Sequence, residues 1–198
     1  MDHERSPWLE HEGTLGGLRV LDFSRILSGP FCTMALADLG ADVIKVEDHR
    51  KGDDTRSWGP PFQGEEASYF LSVNRNKRSV AVDLKDPECA ALVRRLALSA
   101  DVIVENFRPG TAERLGIGYE ELSAHNPGLV YASISGYGQT GPYRLEPGYD
   151  AIAQAISGMM SITGDPEGEP ARTGNSMADL TAGMWATIGV LAALRDRD

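Results

Sequence analysis

Five short runs rich in Val and Ile punctuate the chain: "LRVLDF" (18–23), "DVIKVE" (42–47), "SVAVDL" (79–84), "DVIVEN" (101–106) and "LVYASIS" (129–135). Polar or Gly residues close each one, which is how strands of a parallel sheet read when both faces are covered. Helical patterns separate them. "GPFCTMALADLG" has apolar residues at helical spacing with Gly40 as a stop. "DPECAALVRRLALSA" opens on Asp86 as N-cap, with Pro87 at the first helical position. The alternation predicts βαβ units and an open, doubly wound, mainly parallel Rossmann-like α/β sheet. "MADLTAGMWATIGVLAALRDRD" is the most apolar stretch, carries Asp179 near its start and reads as a buried helix rather than a membrane span. Residues 1–17 are polar and acidic at the start, without a basic segment followed by an apolar one, and read as a flexible tail ahead of a domain over 18–198.

Composition narrows the function classes. With 198 residues, 41% of them hydrophobic, the chain can bury a real core. Its 19 Lys and Arg against 29 Asp and Glu give a net charge of −10, which argues against nucleic acid and anionic membrane as partners. Cys32 and Cys89 form no CxxC pair, which fits a reducing cytoplasm, and the four histidines lack ligand spacing, so no metal is expected. "DFSRILSGPF" follows the first strand in place of G-x-G-x-x-G, which argues against NAD. No P-loop and no G-x-S-x-G elbow occurs.

The loops expected at the carboxyl ends of the strands carry the chemistry, because open α/β sheets bind ligands there. "SRILSGPF", "GDDTRSWGPPF", "SVNRNKRS", "ENFRPG" and "SGYGQTGP" bring basic and amide side chains into an otherwise acidic chain. Arg75, Lys77, Arg78 and Arg108 are candidates to receive phosphates, with Asn106 and Phe107 offering a hydrogen bond and a stacking surface to a base. Solvated loop charge is the competing reading. Asp150 stands alone in a nearly uncharged run, "GYDAIAQAISGMMSITG". On its residues alone it reads first as the N-cap of the helix that follows.

Taken in order, "VLDFSRILSGPF", "LGADVIKVE", "GDDTRSWGPPF", "SVNRNKRSVAVDLKDP", "VIVENFRPGTAERLGIGYEEL", "SISGYGQTGP" and "GYDAIAQAISGMMSITG" closely resemble the class III CoA-transferase family, which includes formyl-CoA and carnitine CoA-transferases and α-methylacyl-CoA racemases. The likeness runs from Leu18 to Leu194 and is nearest to members that use succinyl-CoA and a dicarboxylate such as glutarate. It implies that Asp150 is a nucleophile that carries CoA as an aspartyl thioester. It places Asn106, Phe107 and Arg114 along the CoA nucleotide, and Arg25, Leu27 and Ser28 at the acyl end. Gly136, Gly138 and Gly141 are expected to let the backbone approach the thioester and donate N–H groups to it. Coenzyme A enters as substrate, with no permanently bound cofactor. Leu27 replaces the glutamine of formyl-CoA transferases, which speaks against formate or oxalate exchange. Tyr149 replaces the histidine of the racemases, which disfavours racemisation. Asp48 stands where a basic residue is usual, which implies either that His49 or Arg50 meets that phosphate or that CoA is held more weakly. Family members are about twice this length, with a second, smaller domain and an interlocked homodimer, so the chain reads as an N-terminal part. A truncated, non-catalytic acyl-CoA binding remnant, or an enzyme like the α-methylacyl-CoA racemases, is the alternative.

Overall fold

The computed structural model describes residues 13–198. Five parallel strands form one sheet: β1 (Arg19–Asp22), β2 (Asp42–Asp48), β5 (Lys77–Val82), β6 (Val102–Glu105) and β7 (Val130–Ser133), in the order β5-β2-β1-β6-β7. Each expected strand is present, with its ends shifted by one or two residues. β3 (Phe62–Gln63) and β4 (Glu66–Ala67) make a small antiparallel pair apart from it.

Side chains alternate across the sheet, and both sides are apolar. Val20, Val43, Val102 and Val104 face α1 (Ser28–Asp38) and α7 (Met177–Arg197). Leu21, Phe23, Val46 and Ile103 face α3 (Pro87–Leu98), α4 (Thr111–Arg114) and α5 (Tyr119–Ser123). This two-sided burial is why the strands read as continuous hydrophobic runs. Each fully buried Val, Leu or Ile contributes roughly 1.5–3 kcal/mol. α3 starts as its sequence dictates: the Asp86 carboxylate accepts from Glu88 N and Cys89 N, and Pro87 occupies the first turn. α2 (Ser68–Asn74) covers one end of α1, where Leu27, Met34 and Val73 form a third cluster.

Two expectations need correction. Leu15 is buried in the core and its N–H bonds to Leu39 O, so ordered packing begins before residue 18; residues 1–12 lie outside the described part. α7 is a single 21-residue helix, but only Gly183, Val190 and Leu194 on it are buried. Trp185, at 69% exposure, and Met184 and Ile188 face outward. The helix is apolar around its whole girth, so composition alone could not say which stripe would be covered. By length and composition it could cross a membrane. In this fold it lies against α1 and β7.

Candidate active site

From β1 the chain steps outward to β2 and β5, and from β6 it steps the other way to β7. The helix after β1 lies on one face and the helix after β6 on the other, so the loops leaving these neighbouring strands diverge. Such a divergence leaves a crevice at the carboxyl ends of the strands. Here it is a cleft of about 560 Å³, lined by residues 25–28, 106–109 and 134–136, by Arg144 and residues 146–150, and by Ala178 and Asp179 at the start of α7.

Two clamps shape the loop that follows β1. Asn106 holds the main chain of Arg25 from both sides, its Oδ1 accepting from Arg25 N at 2.8 Å and its Nδ2 donating to Arg25 O at 2.7 Å. Ile26 sits at φ +68°, an uncommon conformation for a β-branched residue. The Asp53 carboxylate accepts its N–H at 3.3 and 3.4 Å. Asp53 is itself buried and paired with Lys45 at 2.9 Å. The Asp53 N–H donates to Glu47, which Arg56 and Ser79 also engage. A buried ionic scaffold thus fixes the loop from below. On the outer side, the Arg25 guanidinium lies 6.0 Å from the centre of the Phe107 ring. This pair separates the large cleft from a smaller one of about 260 Å³ over the ends of β1, β2 and β5 and the start of α4.

Asp150 is the first residue of α6 (Asp150–Ile156), 8% exposed, on the wall of the large cleft. Tyr149 holds the N-cap position, and no side chain caps α6. The Asp150 carboxylate caps a different helix. Its Oδ1 accepts from Ala178 N at 2.8 Å and from Asp179 N at 3.4 Å, in the first turn of α7, where Ser176 offers no side-chain cap. Its Oδ2 accepts from Gln154 Nε2 at 2.7 Å. Among the described residues no cation pairs with it, so a desolvated carboxylate is held by uncharged donors alone. Burial, and then the charge of Asp150, push the neighbouring Asp179 carboxyl up to about 6.

The other predicted residues separate into two groups. Arg25, Leu27, Ser28, Asn106, Phe107, Arg108, Gly136 and Asp150 converge on the large cleft. Lys77 does not. Its Nζ is buried, ion-paired with Asp22 at 3.1 Å and donating to Pro30 O and Asn74 Oδ1 at 2.9 and 2.8 Å, which commits it to the interior. Arg78 chelates Asp42 at the opposite, amino end of the sheet, with contacts of 2.6–3.0 Å. Arg75 is likewise bound to Asp38. Arg114 lines neither cleft and donates to Thr111 Oγ1 on its own helix. The amide of Asn106 is engaged with Arg25 rather than presented to a base. Gly136 is needed for a backbone contact: a Cβ there would come within 2.3 Å of Gly148 Cα. Gly138 and Gly141, at φ +78° and +90°, have open space around them and serve as turn residues. Gln154, completely buried, and Asp53 were not singled out from sequence. The i,i+4 spacing of Asp150 and Gln154 was the signal for the first; Asp53 announces itself only as the cap of the short turn after it, through Thr55, and its hold on Ile26, 27 residues earlier, leaves no pattern in the sequence.

The sequence profile described as CoA-transferase family III matches residues 15–198. The chain is 54% identical over 183 residues to succinyl-CoA:glutarate CoA-transferase of Mus musculus, covering 92% of this chain and 42% of that protein. It is 50% identical to succinate–glutarate CoA-transferase of Agrobacterium fabrum, covering 91% and 46%. A crystal structure of a CaiB/BaiF family protein from Brucella suis superposes with a TM-score of 0.90 at 46% identity, over 93% of this chain and 50% of that one. The chain thus spans about half the length of the relatives it matches, and along nearly all of its own length it belongs to CoA-transferase family III.

Proposed function

We propose that the whole protein transfers coenzyme A from an acyl-CoA, with succinyl-CoA as donor, to a short dicarboxylate of the glutarate kind, and that Asp150 carries the CoA between them. The observation behind this is the Asp150 carboxylate itself, which lines the crevice of the sheet, is nearly dry and has no cation among the described residues to neutralise it. One of its oxygens attacks the thioester carbonyl carbon, and the C–S bond breaks with its electron pair leaving on CoA thiolate. The thiolate attacks the Asp150 carbonyl of the resulting anhydride and releases the donor acid, leaving an aspartyl–CoA thioester. The acceptor carboxylate then repeats the sequence in reverse. No net proton is consumed, and the donor, aspartyl and acceptor CoA thioesters are close in energy, with the anhydrides lying between them as short-lived, higher-energy species. The Phe107–Arg25 wall suits a ligand that passes from the smaller cleft to the larger, with the nucleotide end over Phe107 and the thioester near Leu27, Ser28 and Asp150. The named activities of the relatives support the choice of donor and acceptor. The outward apolar stripe of α7 supports a homodimer or further chain packing there.

The test uses the full-length protein with succinyl-CoA and hydroxylamine. Wild type should acquire a hydroxamate on the peptide containing Asp150, and Asp150→Asn should lose transfer while keeping its fold and CoA affinity. Turnover retained in Asp150→Asn, or label on another carboxylate such as Asp179, would remove Asp150 from this role.

A further inference from the structure

Gln154 follows Asp150 by one turn of α6 and has no exposed surface. Its amide can be assigned in one orientation only. One end faces the Thr173 N–H at 2.9 Å and the Thr173 hydroxyl at 3.1 Å. A peptide N–H only donates, so that end is Oε1. Nε2 must therefore face Asp150 Oδ2 at 2.7 Å, with Asn175 O at 3.3 Å taking the second hydrogen. All four groups on the short path from Thr173 to Asp179 are thus used to lock one carboxylate: Thr173 turns the amide, Asn175 shares it, and Ala178 and Asp179 hold the other oxygen. A buried amide inside a helix is costly unless fully bonded, and an apolar residue would fill the same space without that demand.

We infer that Gln154 is a positioning residue for the chemistry of Asp150: its amide fixes the plane of the carboxylate and keeps a donor on Oδ2 when Oδ1 is the oxygen that bridges to the acyl group. This rests on the nucleophile reading above. When the thiolate attacks the aspartyl carbonyl of the anhydride, and again when the acceptor carboxylate attacks the aspartyl thioester, negative charge returns to the non-bridging aspartyl oxygen, and an uncharged donor already in place stabilises it without reorganisation. With the α7 N–H groups on Oδ1 and Gln154 on Oδ2, either oxygen can attack and the other is still held.

Full-length wild type, Gln154→Glu and Gln154→Leu are compared by turnover with succinyl-CoA and glutarate, and by the rate of hydroxamate labelling, across acid to alkaline pH. The titratable and charged groups near Asp150 are Asp179 on α7 and Tyr69 on α2, with Arg25, Arg108, Arg144 and Glu146 along the cleft. These are the same in all three proteins. In Gln154→Glu one oxygen still accepts from Thr173, while the other meets Asp150 Oδ2, and two carboxyls in contact share a proton. The acid limb of kcat should move up by about one pH unit or more. Gln154→Leu cannot titrate; its kcat should fall roughly 10- to 100-fold with KM for succinyl-CoA nearly unchanged. A Gln154→Glu profile that superposes on wild type, or labelling of Gln154→Leu at the wild-type rate, overturns the inference. Should the buried Glu prevent folding, Gln154→Leu decides alone through the split between kcat and KM. Absence of any label on wild-type Asp150 would remove the nucleophile reading and this role together, whereas unchanged labelling of the variants removes only the role of Gln154.

Discussion

Replacing Lys77 by Met separates a lysine that meets phosphate from one that holds the fold together. Its Nζ contacts three oxygens in the interior, on Asp22, Pro30 and Asn74. Methionine keeps most of the aliphatic stem and removes the charge. Breaking a buried pair by deleting one partner costs about 3–5 kcal/mol. Asp22 would keep bonds from Ser24 N, the Ser24 hydroxyl and the Thr33 hydroxyl, with Lys45 nearby, which places its share at the lower end. Pro30 O and Asn74 Oδ1 each lose a donor, adding about 1 kcal/mol apiece. A loss of about 5 kcal/mol is expected. There is also a pH signature. Burial would raise the Asp22 carboxyl, but Lys77, Lys45 and the two hydroxyls outweigh it and hold the group at about 2, against 3.8 ordinarily. A depressed acid stabilises the fold above its ordinary value and loses that contribution as pH falls towards 2. Without Lys77 the carboxylate is less well held, so acid unfolding should begin at higher pH. Urea unfolding of the full-length protein at several pH values measures both effects, and calorimetric titration with CoA measures the third. CoA affinity of the folded variant should match wild type. A stability loss under about 1 kcal/mol together with a tenfold or greater loss of CoA affinity would refute this assignment and return Lys77 to the phosphates.

Arg25→Ala should weaken CoA binding by about 1–3 kcal/mol while leaving the loop in place, because Asn106 grips the main chain of residue 25 and not its side chain; unchanged affinity by calorimetry would exclude the wall it forms with Phe107. Asp179→Asn tests the raised carboxyl: between 3.8 and about 6 the native state keeps a proton that the unfolded chain releases, so wild-type stability falls as pH rises through that window. The variant should therefore melt higher than wild type at neutral pH, with the gap closing below 3.8, and a lower melting temperature at neutral pH would contradict it. Trp185→Glu places a charge on the exposed stripe of α7; sedimentation of the full-length protein should show weakened association, and an unchanged dimer would put the interface elsewhere.

The layered fold was legible because all five strands carry apolar residues on both faces and the helix signals between them are local, as with the Asp86–Pro87 start of α3. The parts of the site that sit on loops leaving β1, β6 and β7 were legible for the same reason, since position in a βαβ pattern fixes which end of the sheet a loop occupies. Charge was the misleading signal. Lys77 and Arg78 are adjacent on an edge strand and read as a basic pair, yet one goes into the interior and the other to Asp42 at the far end of the sheet. Their acidic partners lie 55 and 36 residues away, and no periodicity records such pairings. Asp150 shows the same limit in a subtler form. On its residues alone it reads as the cap of the helix it opens, but no side chain caps α6, and the helix Asp150 caps begins 27 residues later in the chain, at Met177.

Gly136 and Gly148 approach so closely that neither has room for a side chain, and this contact ties the end of β7 to the start of α6. The eleven residues between them, 137–147, leave and return through a single fixed doorway. Because lengthening a closed loop adds little entropy cost once its ends are pinned, this segment can be exchanged, extended or trimmed with small effect on where Asp150 stands. It also carries Arg144, Glu146 and Pro147 into the cleft. For protein engineering it therefore behaves as a cassette: the lining of the cleft can be varied there by loop grafting, while Asp150 and the groups that hold it stay on the chassis.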